Sequence, residues 1–307
     1  MTKTSGDPHS KHVGPNGGDY RRPGSRRARM ARRGIAVLPT LFTLGNLLCG
    51  FAAIFLATRP TTPPIPLPFD WSPLTFATLC VFAGMLFDGV DGRVARITRS
   101  MSDLGEQLDS MADMVTFGVA PAIMAVQLVD VGLPFVAEVV EKDSYFGRIA
   151  LIVAFIYVSC AALRLARFNI ERGDATPDHT RFKGLPTPGA GGTVVSLVLV
   201  HQHFLRQNPA EHWTIAVAAG VMVIVMLLVA VSMVSNYRYV HVMNRYVSGR
   251  VPFKTMVLVV IVGPLMVIHP QLTLAAGFVL YALSAPVIAA SHWFKLRRRA
   301  SPAPPPA

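Results

Sequence analysis

Apolar residues in this chain run in long, nearly unbroken stretches and show little of the alternation that marks a half-buried surface. Each stretch approaches the roughly 20 residues that a helix needs to cross a bilayer. Because no backbone group can be left without a hydrogen bond in lipid, each stretch is predicted to be a membrane-spanning α-helix. The fold class is therefore all-α, a polytopic membrane helix bundle. The eight predicted spans are 34–58, 72–96, 105–128, 148–170, 189–206, 213–235, 253–269 and 271–294.

The connections between these stretches differ in charge in an alternating way. Those after the second, fourth and sixth stretches are rich in basic residues, whereas the intervening ones hold few. Basic connections remain on the cytoplasmic side of a membrane, and an even number of spans returns the chain to the side where it began. Both termini are therefore predicted to be cytoplasmic. The basic residues that indicate this are Arg93, Arg96, Arg99, Arg172, Arg181, Lys183, Arg238, Arg245, Arg250 and Lys254.

Composition supports a membrane protein and excludes an ordinary soluble domain, since 52% of residues are hydrophobic and only 15% are charged. The net charge of +12 lies mainly at the two ends. This distribution disfavours a nucleic-acid-binding surface and is typical of anchors beside anionic lipid headgroups. We expect a disordered basic cytoplasmic tail at 1–33, a membrane domain at 34–294 and a basic, proline-rich tail at 295–307.

Four aspartates lie at the facing ends of the second and third stretches. Asp88 and Asp91 are three residues apart, and Asp109 and Asp113 are four apart, so each pair projects from one helix face. If the two helices form an antiparallel hairpin, the four carboxylates converge. Carboxylate oxygens without His or Cys suit hard divalent cations, and four of them suit two ions. A two-metal site of this kind can bridge a diphosphate.

Neighbouring residues fit the same chemistry. Gly92 and Gly105 would allow a nucleotide to approach the backbone closely, and Arg96 can contact phosphate oxygens through two N–H groups. The alternative is that the aspartates are helix-end charges, solvated by cytoplasmic water and paired with nearby arginines. That alternative does not explain why aspartates alone recur at one-turn spacing within apolar sequence.

The pattern Asp88-x2-Asp91-Gly92-x2-Ala95-Arg96-x8-Gly105-x3-Asp109-x3-Asp113 resembles, without departure, the signature of the CDP-alcohol phosphotransferase family. The resemblance implies a core of six membrane helices and a reaction in which a hydroxyl attacks the β-phosphorus of a CDP-linked lipid, with CMP leaving. It also implies roles for single residues. Asp88, Asp91, Asp109 and Asp113 would bind two divalent cations, Mg²⁺ or Mn²⁺, and Asp113 would also be the general base. Gly92, Arg96, Ser102 and Gly105 would contact the CDP-lipid.

Three further stretches, 38–51, 163–169 and 182–190, look like the corresponding parts of the membrane-integral phosphatidylserine synthases in that family. This resemblance implies that CDP-diacylglycerol and L-serine are the substrates and that two helices follow the six-helix core. It further implies a homodimer in the cell membrane with a cytoplasmic active site.

Serine is a zwitterion and needs a cation for its carboxylate and polar groups for its ammonium. Arg164, Arg167 and Asn169 are candidates, with a cytoplasmic basic flank as the alternative interpretation for the arginines. Asn46 is a polar residue within the first span, and both a contact with the CDP-lipid and a hydrogen bond between helices remain open for it.

Two other functions remain as alternatives. The same chemistry could use a phosphorylated polyol, glycerol 3-phosphate or inositol phosphate, which would need a denser basic pocket. A cation transporter also holds acidic residues in the membrane, but near the midplane and usually with broken helices or repeats.

Overall fold

The computed structural model describes residues 26–59, 72–98, 103–132, 145–173, 184–207, 212–236, 239 and 253–299. Every regular element within these ranges is helical. The elements are α1 (Arg26–Ala57), α2 (Pro73–Thr98), α3 (Asp103–Asp113), a π-helical segment (Met114–Val119), α4 (Ala120–Gly132), α5 (Tyr145–Gly173), α6 (Thr187–Gln207), α7 (His212–Val234), α8 (Phe253–Ile268) and α9 (Pro270–Arg299).

Because α3, the π segment and α4 follow one another without a gap, the described residues form eight helical rods, at the eight places predicted from the sequence. Most bounds differ from the prediction by four residues or fewer, and two differ by more. The first helix begins at Arg26 and not at residue 34, and the last continues to Arg299. The rest of the two predicted tails lies outside the described residues.

Six of the rods are long and apolar enough to cross a membrane, which confirms an integral membrane helix bundle. These spans are Pro39–Ala57, Pro73–Val94, Leu104–Val129, Tyr145–Glu171, Val217–Val234 and Pro270–Ile288. The other two rods are α6 and α8, so a count of eight spans stays a prediction. At about 1.5 Å per residue, the 16 residues of α8 extend roughly 24 Å, short of the roughly 30 Å hydrocarbon core.

Helix α6 is long enough to cross a membrane but is less apolar than the six spans, and its packing explains why. It packs against α2, α4, α7 and α9, and every residue from 189 to 196 is buried. A helix enclosed by other helices needs small residues for close approach more than it needs a lipid-compatible surface. The glycines at 189, 191 and 192 allow neighbouring helices to come this close. A Cβ on Gly191, for example, would lie 3.1 Å from the Cα of Phe117.

The start of α6 is fixed by the end of α7. Gly184 has φ +88°, and a Cβ there would collide with the backbone carbonyl oxygen of Met233. The next residue, Leu185, donates its backbone N–H to the carbonyl of Ser232 at 3.0 Å. Gly184 and Leu185 therefore set where α6 begins, and with it the position of Thr187.

Candidate active site

Three of the four aspartates meet where the C-terminal part of α2 passes α3. Asp88, Asp91 and Asp109 each offer a carboxylate oxygen, and these oxygens all lie within 4.8 Å of one another. Asp91 is buried, and the other two are partly buried. Three carboxylates this close repel one another unless a cation neutralises them, and their all-oxygen donor set fits a hard divalent ion. The predicted convergence of these three residues is confirmed.

Asp113 lies one helical turn after Asp109 and is buried, with 9% of its surface exposed. It interacts electrostatically with Asp88 and Asp109. Its Oδ1 accepts a hydrogen bond of 3.1 Å from the side-chain amide of Asn46, which is fully buried. The hydrogen bond between helices that the sequence left open for Asn46 is thus present, while its contact with the CDP-lipid stays a prediction.

Hydroxyl groups support this cluster from neighbouring helices. The Oγ1 of Thr43 in α1 lies 3.1 Å from Asp91 Oδ2. Beside Asp109, Ser110 and Asn169 join α3 to α5 through hydrogen bonds of 3.0 and 3.2 Å. Thr43 and Ser110 were not among the residues predicted from the sequence. For Thr43 there was a signal, because it lies three residues before Asn46 and so shares its face of α1.

Gly92 lies next to Asp91 of the cluster. Its backbone N–H bonds to the carboxylate of Asp91, and a Cβ on it would meet no atom within 4 Å. Contacts within the described chain therefore do not require a glycine here. At Gly84 the opposite holds, because a Cβ there would lie 2.7 Å from Thr116 Cγ2.

The other residues predicted to contact the CDP-lipid are only partly described by the structure. Gly105 lies in the first turn of α3. Arg96 belongs to the last turns of α2, but its side chain is outside the described residues, as is the whole of Ser102.

The two arginines predicted for the acceptor have different surroundings. Arg164 donates to the hydroxyl of Thr187 at the start of α6 and interacts electrostatically with Asp113 and Asp88. Arg167 lies in a more exposed position, here called the rim, where 36% of its side-chain surface is exposed. There it forms an ion pair of 2.9 Å with Glu171. Only Arg164 is directed toward the aspartates.

The last helix also reaches this end of the bundle. Tyr281 in α9 packs against the start of α6, where a Cβ on Gly189 would lie 2.8 Å from the tyrosine Cε1. Tyr281 interacts electrostatically with Arg164. Tyr281 was not predicted as a site residue, because nothing in the local sequence distinguishes it from other aromatic residues of an apolar helix.

Comparison with known proteins agrees with this geometry. The sequence model of the CDP-alcohol phosphatidyltransferase family matches residues 36–224. A CDP-diacylglycerol–serine O-phosphatidyltransferase of Helicobacter pylori (strain 26695) is 32% identical over 251 residues, which cover 80% of this chain and 88% of that protein. The protein of the same name in Bacillus subtilis is 34% identical over 168 residues, covering 55% of this chain and 78% of the relative.

A third relative of that name, from Mycobacterium leprae, is 33% identical over 186 residues, which are 60% of this chain and 52% of the relative. The matched region of the family model contains the whole aspartate cluster together with Arg164 and Thr187. Sequence, helix arrangement and carboxylate geometry therefore agree that this chain is an enzyme of the CDP-alcohol phosphatidyltransferase family.

Proposed function

We propose that this enzyme transfers the phosphatidyl group of CDP-diacylglycerol to the hydroxyl of L-serine, giving phosphatidylserine and CMP. The observation that carries the proposal is the similarity over 80% of the chain to a relative with that activity in its name. The carboxylate cluster, at one end of the bundle beside Gly92, supports a diphosphate-containing donor.

The donor half of the site consists of the four aspartates and the residues at the α2–α3 end. Asp88, Asp91, Asp109 and Asp113 would hold two divalent cations, with Mg²⁺ or Mn²⁺ favoured by the oxygen ligands. When bound, such ions neutralise the diphosphate and the charge that develops on the departing CMP. Gly92, Gly105, Arg96 and Ser102 would position the cytidine diphosphate against this cluster.

Asp113 would be the general base. The serine hydroxyl oxygen forms a bond to the β-phosphorus, the bond from that phosphorus to the CMP oxygen breaks, and the hydroxyl proton passes to the Asp113 carboxylate. Its burial and its place one turn beyond Asp109 support a reacting position at the inner edge of the cluster.

The acceptor would bind between the cluster and the start of α6. Arg164 is the favoured partner of the serine carboxylate, because its guanidinium lies among Asp113, Asp88 and Thr187. Asn169 is bound to Ser110 beside the cluster and is a second polar group for the acceptor. Arg167 would contribute at the rim.

We further propose eight spans with both termini in the cytoplasm, and a homodimer in the cell membrane. The contacts support the shared side of the termini, since Thr43 of α1 and Tyr281 of α9 both lie at the aspartate end of the bundle. Reporter fusions at residues 1 and 307 should both report the cytoplasm. Opposite sides for the two reporters would contradict this topology.

One assay tests the proposed acceptor. Purified protein in mixed micelles with CDP-diacylglycerol and Mn²⁺ is given serine, inositol, glycerol 3-phosphate, inositol phosphate or no acceptor, and CMP release is measured. We expect serine alone to accelerate release. If a phosphorylated polyol accelerates release and serine does not, the acceptor assignment is wrong and the donor chemistry remains.

A further inference from the structure

The helix that carries Asp109 and Asp113 changes its winding directly after Asp113. Residues Met114–Val119 form a π-helical segment, in which the N–H of Ala120 bonds to the carbonyl of Val115, five residues back. π segments insert an extra residue into a helix and occur frequently at functional sites. Here the segment separates the aspartates of α3 from the apolar, largely buried α4.

The sequence supplies a cause for this segment. Residue 121 is a proline, which has no N–H to donate to the carbonyl of Phe117 and whose ring would collide with that carbonyl in a regular α-helix. Wider winding relieves the collision. The carbonyl of Phe117 instead accepts a hydrogen bond of 2.8 Å from the hydroxyl of Tyr157 in α5, and both side chains are fully buried.

Asn46 holds the same segment from the other side. Its backbone carbonyl accepts a bond of 2.9 Å from the hydroxyl of Thr116, while its side-chain amide donates to Asp113. Close approach depends on Gly50 and Gly84, because a Cβ on Gly84 would lie 2.9 Å from the Asn46 side-chain oxygen and one on Gly50 would lie 2.9 Å from the Thr116 Cα. One residue of α1 therefore contacts both Asp113 and the segment that follows it.

We propose that Asn46 and Tyr157 are positioning residues that act through this π segment to fix the direction of the Asp113 carboxylate. The amide of Asn46 engages Oδ1 and leaves Oδ2 for the acceptor hydroxyl. An uncharged donor orients the carboxylate without competing for its charge, as an arginine or lysine there would. The inference rests on the proposed role of Asp113 as base.

Tyr157→Phe tests the proposal with a minimal change, since it removes one hydroxyl from a fully buried side chain. We expect kcat to fall roughly 3- to 10-fold, as for the loss of one hydrogen bond, with the KM values for CDP-diacylglycerol and for the acceptor unchanged. Amide hydrogen exchange in 114–119 should become faster. Tyr239→Phe is the matched control, because Tyr239 is also buried and donates to a backbone carbonyl, that of Ala282 at 2.9 Å. It should leave kcat and exchange in 114–119 unchanged.

Asn46→Leu removes the donor at similar side-chain volume. We expect kcat to fall roughly 10- to 100-fold, because a small misplacement of a reacting group costs about that much. Both KM values and the rise in Tm on adding Mn²⁺ should be retained. A higher KM for CDP-diacylglycerol with kcat retained would make Asn46 a substrate contact and overturn the proposal. A lower Tm with kcat per folded enzyme unchanged would also overturn the proposal, because it would indicate a structural role only. The kcat and KM values of each variant are compared with those of the wild type, using whichever acceptor the wild type accepts. An error in the acceptor assignment would therefore appear in the wild-type assay and not in this comparison.

Discussion

At the scale of single residues, two aspartates of the site, Asp91 and Asp113, are each held by a partner from another helix. Thr43 of α1 bonds to Asp91, and Asn46 of the same helix bonds to Asp113. Ser110, adjacent to Asp109, bonds to Asn169 of α5. The carboxylates of Asp91 and Asp113 are thus oriented before any substrate binds, which lowers the cost of reaching the reactive geometry.

Asp91→Asn tests the dependence on this cluster. The substitution keeps the shape of the side chain and removes one negative charge, so the remaining carboxylates should no longer hold the divalent ions. We expect CMP release to fall by at least roughly 100-fold and the Mn²⁺-induced rise in Tm to be reduced. Glu106→Gln is the control, because it neutralises an acidic residue of α3 that is not in the cluster. Full activity of Asp91→Asn, or of the wild type in excess chelator, would contradict the metal site.

Asp113 and Asp88 should differ in what they contribute. A positioned base accelerates turnover by roughly 10²- to 10⁴-fold without being needed to bind the donor, so Asp113→Asn should lower kcat far more than affinity for CDP-diacylglycerol. Asp88→Asn should weaken both, because Asp88 belongs to the three-carboxylate cluster. Titration calorimetry with CDP-diacylglycerol separates the two effects. Equal losses of affinity in the two variants would argue against Asp113 as the base.

The two arginines offer a matched pair for the acceptor. Arg164→Lys keeps the charge but loses the planar fork, so the KM for serine should rise roughly 10-fold or more while that for CDP-diacylglycerol stays nearly constant. Arg167→Lys should have a smaller effect, because Arg167 is paired with Glu171 at the rim. A larger rise for Arg167→Lys would move the serine carboxylate to the rim.

The sequence predicted the residues with a fixed local spacing better than their partners. Asp88, Asp91 and Asp109 follow from one-turn spacing on two adjacent helices. Tyr157 could not be predicted, because its partner Phe117 is 40 residues away and only the three-dimensional packing brings them together. The π segment had a local signal in Pro121, whose effect on the preceding turn depends on what surrounds the helix.

At the scale of elements, the residues just before α6 have a defined structural role, because the left-handed Gly184 lies against the backbone of Met233. That contact ties the start of α6 to the end of α7. Thr187, the partner of Arg164, follows three residues later.

Gly184→Ala should therefore destabilise the fold. A residue with a Cβ costs roughly 1–2 kcal/mol in the left-handed region, and the collision with the Met233 carbonyl adds to that cost. The measurement is the free energy of unfolding by denaturant in mixed micelles. Gly277→Ala is the control, because a Cβ there meets no atom within 4 Å, and it should leave stability unchanged or raise it. Equal effects of the two substitutions would contradict the structural role of Gly184.

At the scale of the whole molecule, hydropathy alone located all eight rods but could not separate those facing lipid from those enclosed. The sixth rod has a composition set by close helix contacts, and only the arrangement of its neighbours reveals this. The C-terminal helix α9 lies beyond the part matched by the family model, yet it packs against α6 beside Arg164. The surroundings of Arg164 thus include a helix outside the region that the family model matches.

The most direct test of the central claim is to identify the lipid product. Purified enzyme in liposomes containing CDP-diacylglycerol is given Mn²⁺ and ¹³C-labelled serine, and the lipids and CMP are quantified by mass spectrometry. We expect one labelled phosphatidylserine for each CMP released, and neither product from Asp91→Asn. Release of CMP without label in the lipid would contradict the proposed transfer to serine.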